Sequence, residues 1–355
     1  MYNSNLDNKK CRIIVDAMGG DFAPENIVIG AIDAFNIDKS FELYFVGKEE
    51  EVKKVIYEKN LSFDLSHIIN ASQVIEMADI PTESIKAKQD SSIVVGTKFV
   101  KEGKADAFVS AGNTGAVMAA STLIIGRIPN VGRPTIGALI PNEKGVCFLF
   151  DVGASVDSKP KHLLEYAIMG TIFTKEIYGV ENPRVGILSV GEEDSKGNDV
   201  TLAASKLIKK TNLNFVGNVE GRDLLKGTAN VVVCDGFVGN ILIKFGEAIP
   251  SFLKSKLIEF AQHSFLNKLK LLFVKNTLKN VLKDFDYQEQ GGVPLLGING
   301  ISIIGHGSST PKAIMNMVLR ANEMYKKNLV TKIEAAIKQY SNPSILNESP
   351  ADSQF

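Results

Sequence analysis

The chain has 355 residues and 38.5 kDa, enough for one large domain or two, and enough to bury about three quarters of its unfolded surface. Forty Lys and Arg balance forty Asp and Glu, which excludes a generic nucleic-acid binder. Cys11, Cys147 and Cys234 are widely spaced and form no CxxC pair or Cys/His cluster, which excludes a disulfide framework and a structural zinc site. Residues 1–10 are polar and lack the apolar core of a signal peptide. Nowhere does an apolar run reach transmembrane length, so a cytoplasmic protein is expected.

From residue 11 onward, short β-branched runs alternate with helical patterns. Arg12–Asp16 reads as a buried strand ending at Gly19-Gly20. A helix follows, with Pro24 near its first turn and apolar residues at Ile27, Val28, Ala31, Ile32 and Phe35. Phe41–Val46 is the next strand, before a charged helix over Lys48–Lys59. Ala107–Ser110 feeds Gly112-Asn113-Thr114-Gly115 and an apolar helix. Further strands are expected at Thr135–Ile140, Val146–Phe150, Arg184–Val190, Val231–Cys234 and Ile301–Ile304. This alternation predicts an α/β sandwich with a mostly parallel sheet over residues 11–340. Residues 341–355, rich in Ser, Asn and Pro, read as a flexible tail.

One stretch departs from the alternation. Between Ser251 and Lys283 lie seven lysines and a single acid, Glu259, interleaved with Phe and Leu. A basic amphipathic helical insertion at about 250–287 fits an anionic membrane surface or an acidic partner. The plainer reading is a helical pair packed on the core or at a dimer interface, with the lysines on the wet side.

Ligands of parallel sheets collect at strand carboxyl ends. Six such loops are rich in glycine and short polar residues: 16–21, 110–115, 151–157, 191–198, 235–240 and 305–309. Taken together at one sheet end, they point to a phosphate-bearing or polar-headed ligand. At Ser110–Gly115 exposed N–H groups at a helix start suit an anion, although an ordinary capped turn has the same sequence. Neither a Walker A loop nor a GxGxxG fingerprint is present, and no DxD or HExxH motif calls for a metal. Asp16, Asp21, Asp151, Asp157 and Asp235 stand at strand ends as caps or as ligand-holding acids. His306, between glycines after the last strand, is placed to protonate a leaving group, or is a hydrogen-bonded loop histidine. His162 follows Lys159 and Lys161 at a helix start. Cys147 reads as core, and Cys234 has no neighbouring charge that would activate it.

The run Val15-Asp-Ala-Met-Gly-Gly-Asp21 resembles the opening of the PlsX family, the phosphate acyltransferases of bacterial phospholipid synthesis. The likeness continues through 110–116, Gly126-Arg-Ile128, 151–154, Lys159-Pro160, His162, 166–170, 217–219, Asp235-Gly236, Gly239-Asn240, Gly291-Gly292 and His306–Ser309, in the family's order. The resemblance implies transfer of a long-chain acyl group from acyl-acyl carrier protein to inorganic phosphate. It implies a homodimer with an α/β/α fold related to isocitrate dehydrogenase and phosphotransacetylase, using no metal or nucleotide. The product passes to a membrane glycerol-3-phosphate acyltransferase, so peripheral contact with the membrane through 251–283 is expected. Phosphate acetyltransferase activity on a short acyl-CoA is the nearest alternative. Three residues depart from the family pattern: Phe22 stands where many members have His, Ser155 where Asn is usual, and Lys161 where an acid is common.

Phosphate is already ionised at neutral pH, so the chemistry needs anion binding, close approach and oxyanion stabilisation rather than a strong base. The expected phosphate cradle is Asn113, Thr114 and Gly115 with charge from Lys159. His306 or Ser308 would serve the oxyanion or the departing thiol. Asp16, Gly19, Gly20, Asp21, Asp235, Gly236 and Asn240 complete the expected substrate-binding set.

Overall fold

The computed structural model describes residues 9–282 and 291–340. The expected tail from 341 and the end of the basic insertion, 283–287, lie outside the described residues, as do residues 1–8. The strands are β1 (Cys11–Asp16), β2 (Phe41–Gly47), β3 (Ile68–Asn70), β4 (Ala107–Ser110), β5 (Thr135–Asn142), β6 (Gly145–Phe150), β7 (Arg184–Leu188), β8 (Asn214–Val219), β9 (Val231–Val233), β10 (Val293–Leu296) and β11 (Ile301–Ile304). The helices are α1 (Glu25–Ile37), α2 (Glu49–Glu58), α3 (Pro81–Ala87), α4 (Ser92–Lys101), α5 (Thr114–Ala120), α6 (Pro160–Tyr178), α7 (Asp199–Lys209), α8 (Gly221–Lys226), α9 (Gly236–Gln262), α10 (Phe265–Leu282), α11 (Pro311–Lys326) and α12 (Leu329–Tyr340). A π-helical turn, Ser121–Ile125, extends α5.

The strands form one sheet in the order β3-β2-β1-β4-β11-β10-β5-β6-β9-β7-β8. Strand residues alternate between the two faces of the sheet, which carry three cores. Ile13, Val15, Val109, Phe148, Phe150, Val231 and Val233 join the large core on one face. Ile14 and Phe108 enter a second core, and Leu149 and Val232 a third, on the other face. Both faces of the strands are therefore covered, which is why they read as continuous apolar runs, and the three-layer α/β/α architecture follows.

Pairing is parallel from β3 to β11 and again from β6 to β8. Between these halves β11–β10, β10–β5 and β5–β6 are all antiparallel. Three reversals make the two parallel halves run in opposite senses, so each half has its own carboxyl edge. The expectation that all six glycine-rich loops share one sheet end is corrected here. Loops after β1, β4 and β11 gather at one edge, and loops after β6, β9 and β7 at the other. β10 joins the halves, its first two residues pairing with β11 and its last two with β5.

The helix that carries the first part of the basic stretch begins at Gly236, well before Lys254. α9 leaves the end of β9 directly, continues past Pro250, and packs against α10 as an exposed helical pair.

Candidate active site

At the first edge, Asp16 is fully buried. It accepts the Ser110 hydroxyl at 2.7 Å and the Met18 N–H at 3.0 Å. Burial pushes its carboxyl pKa up, while hydrogen bonds from Ser92, Ser110, Met18 and Gly19 oppose the shift. Its bonds staple the end of β1 to the end of β4. Gly19 fits this staple because a side chain there would come within 2.5 Å of Asp16 Oδ2 and 2.6 Å of the Gly112 nitrogen. Gly20 takes φ +116° beside Gly307, and the exposed Asp21 donates its N–H to Gly307 O at 2.8 Å.

Asn113 is buried and committed. Its Oδ1 caps α5 by accepting the Ala116 N–H at 3.0 Å, and its Nδ2 donates to the carbonyls of Glu76, Met77 and Asp79 at 3.0–3.1 Å. A side chain at Gly115 would meet Pro81 at 2.6 Å, so this glycine lets α5 pack on α3. Thr114 is exposed. His306 is also exposed, with Nδ1 2.7 Å from Ser308 Oγ and 3.2 Å from the Ser308 N–H. A backbone N–H only donates, so Nδ1 is the acceptor and the neutral ring carries its proton on Nε2.

At the second edge, buried Asp151 organises the loop after β6. Its carboxylate accepts N–H groups of Gly153, Ala154 and Ser155 at 2.8–3.2 Å, and Ile136 N–H lies at 3.5 Å. Burial nevertheless raises its pKa to about 6. The start of α9 lies directly on this loop. A side chain at Gly239 would sit 1.8 Å from Asp151 O, and one at Gly236 2.2 Å from Ser155 O. The Asp235-Gly236…Gly239-Asn240 pattern is thus an interlock between two strand-end loops. Asp235 is its helix cap, accepting the Val238 N–H at 3.0 Å, and the exposed Asn240 lies against Gly153.

Cations crowd beside this interlock. Arg133 donates to Ser155 Oγ, and Lys159 is exposed at the N-cap of α6. His162 accepts the Lys159 N–H at 3.1 Å. Burial, then Arg133, Lys159 and Lys161, lower the His162 pKa, so the ring is neutral at pH 7. The loop after β7, with exposed Lys196, belongs to the same edge.

The structure therefore brings Asp16, Gly19, Gly20, Asp21, Asn113, Thr114, Gly115, His306 and Ser308 to one edge. It places Asp235, Gly236, Asn240 and Lys159 at the other. Lys159 belongs to the β6/β9 loops and not to the Asn113–Gly115 turn, because strand sense reverses between β11 and β6. Sequence reasoning passed over Arg133 and Ser155 as site residues. Two arginines within the Gly126–Arg133 loop were the available signal.

A family model described as "Fatty acid synthesis protein" matches residues 11–332. A phosphate acyltransferase of Halothermothrix orenii is 46% identical over 330 residues, covering 92% of this chain and 99% of that one. One from Pelotomaculum thermopropionicum is 46% identical over 327 residues, covering 92% and 95%. Among solved structures, a phosphotransacetylase from Streptococcus pyogenes superposes with TM-score 0.58 at 19% identity, covering 92% and 94%. The EutD phosphotransacetylase of Staphylococcus aureus gives 0.56 at 18%, covering 89% and 94%. At such identities these two report the fold alone, and they agree with the layered α/β architecture described above. Sequence relatives of this closeness along nearly the whole length settle the family: the chain belongs to the PlsX phosphate acyltransferases.

Proposed function

We propose that the protein transfers a long-chain acyl group from the thioester of an acyl carrier protein to inorganic phosphate, releasing acyl phosphate and the free carrier. The observation that carries this reading is the second edge, where two interlocked glycine-bearing loops stand beside Arg133 and Lys159. The reaction brings an anionic nucleophile to an acyl donor and needs no strong base, so cations and rigid backbone donors are the useful equipment. The Asn240 amide, against Gly153, is a donor suited to the thioester oxygen as it gains charge. His306 and Ser308 form a hydrogen-bonded pair at the opposite sheet edge, which places them away from the Arg133 and Lys159 group.

The test is acyl-phosphate formation from palmitoyl-carrier protein and phosphate, trapped with hydroxylamine, with acetyl-CoA run alongside. Phosphate-dependent product from the long-chain donor supports the reading. Product from acetyl-CoA alone assigns the short-chain alternative, which the solved structures match only in fold.

No helix among the described residues is long and apolar enough to cross a membrane. α9 instead exposes Phe237, Ile241, Phe245 and Ile249 at four-residue spacing, one stripe on one face. Beyond it come Lys254, Lys256, Lys268 and Lys270 among exposed Phe and Leu. Such a division suits a homodimer along the apolar stripe and peripheral contact with an anionic bilayer, where a membrane glycerol-3-phosphate acyltransferase receives the product. Phe245→Asp is expected to shift the mass by light scattering from dimer to monomer. Charge reversal of the four lysines is expected to abolish flotation with phosphatidylglycerol vesicles.

A further inference from the structure

Arg133, Lys159 and Lys161 all act electrostatically on the His162 ring, and Arg127 reaches the same turn through the carbonyls of Val131 and Gly132. Two acids share the place. Glu165 accepts the Gly132 N–H at 2.8 Å and faces Lys161 at 3.7 Å, and Asp157 lies within electrostatic reach of His162. Buried Asp151, which holds the Ser155 N–H beneath Arg133, is a third acid, so four cations face three acids and a smaller positive excess remains.

His162 supplies direction. It is 9% exposed, and because Nδ1 accepts the Lys159 N–H, the proton of the neutral ring is on Nε2. Nε2 lies along Gly132, where a side chain would approach to 3.1 Å. Close by, the hydroxyls of Ser158 (5% exposed) and fully buried Tyr166 face each other, and Tyr166 is within electrostatic reach of Arg133 and Asp151.

The Asn113–Gly115 turn has none of this. The Asn113 amide is spent on the 76–79 loop, the Ala116 N–H is capped, and Gly115 is packed on Pro81. Its charged neighbours include the acids Asp16 and Asp21, while Lys88 is paired with Asp79.

We infer that inorganic phosphate binds at the start of α6, held by the Arg133 guanidinium and the Lys159 ammonium, with His162 Nε2–H as a neutral donor. The identity of the anion rests on the acyl-transfer reading above; the place rests on the geometry. A guanidinium fork and a point-charge ammonium together match a tetrahedral dianion, and the imidazole orients it without adding charge.

Isothermal titration of inorganic phosphate into the full chain tests the site separately from turnover. Arg133→Ala and Lys159→Met, both at exposed positions, are each expected to raise Kd about tenfold, roughly 1.4 kcal/mol. Thr114→Val is expected to leave Kd within about twofold. His162→Ala is expected to weaken binding and His162→Gln, which keeps an N–H, to recover part of it. Thermal melts identify any variant that fails to fold. Equal loss in Thr114→Val and Arg133→Ala, no loss in Arg133→Ala and Lys159→Met, or no saturable binding by the native chain would each overturn the assignment. Binding intact without acyl transfer would reject the proposed function and leave the site standing.

Discussion

At the scale of single residues, the site depends on what is missing from side chains. Gly239 leaves only 1.8 Å between a would-be Cβ and Asp151 O, so backbone must move if any other residue stands there. Gly239→Ala is expected to cost about 1–3 kcal/mol in urea melts and to lower turnover more than stability, since the displaced backbone belongs to the loop beside Arg133. Asp151 governs the same loop through its charge. Its pKa near 6 is above the ordinary 3.8, so between about pH 4 and 6 the folded state keeps a proton that the unfolded chain has released. This favours folding at the low end of that window, and the advantage is lost as pH rises through 6. Replacing Asp151 by Asn removes the titration. The stability difference between native and variant chains should therefore fall from pH 4 to pH 7, by at most on the order of 3 kcal/mol. A difference that is flat across that range would show the carboxyl to be unshifted.

Among elements, α5 shows how a turn that looks made for a ligand can be filled by the protein itself. Asn113 caps the helix with one end of its amide and gathers three carbonyls of the 76–79 segment with the other. Asn113→Ala loses both functions, with an expected cost of about 1–3 kcal/mol. Amide hydrogen exchange should accelerate in 76–79 and at Ala116 together. Acceleration at Ala116 alone would mean that the segment is held by other contacts, among them the Lys88–Asp79 ion pair. The start of α6 reads differently because its side chains are exposed cations rather than capping amides. The two helix starts differ already in composition, Gly-Asn-Thr-Gly against Ser-Lys-Pro-Lys-His, and the partners that the fold brings to each widen the difference.

For the whole molecule, the antiparallel seam is the decisive element. Leu295 of β10 is 2% exposed in the core shared with Ile14 and Phe108, and it pairs with Ile136 of β5. Leu295→Ala is expected to cost about 2–5 kcal/mol while both halves still melt in one transition, followed by far-UV and near-UV circular dichroism. Two separated transitions would show that the halves are independent. The seam was also what the sequence concealed. Buried parallel strands such as Arg12–Asp16 and Val231–Val233 announce themselves as β-branched runs. Three residues of β3, the half-exposed edge strand β8 and the Pro-containing β10 carry too little pattern to be read. Without β10 the reversal of sense is invisible, and without the reversal Lys159 cannot be assigned to an edge. The motifs were legible because loop glycines answer to local contact; their grouping was not, because it depends on strand order.

The seam has a consequence for how the chain reaches its fold. β4 pairs with β11 in the register Ala107↔Ile301, across roughly 190 intervening residues, while the intervening half enters by β5 and leaves by β10, which are hydrogen-bonded neighbours. Closing either long loop first, β4 to β11 or β5 to β10, costs about 4.5 kcal/mol of entropy in a structureless chain, and whichever contact forms first shortens the other to an effective loop of a few tens of residues, at about 3 kcal/mol. The two contacts are therefore coupled across the seam, and neither half is the cheaper place to begin. Mutations at Ile136 or Leu295 and mutations at Ala107 or Ile301 should accordingly slow refolding to a similar extent.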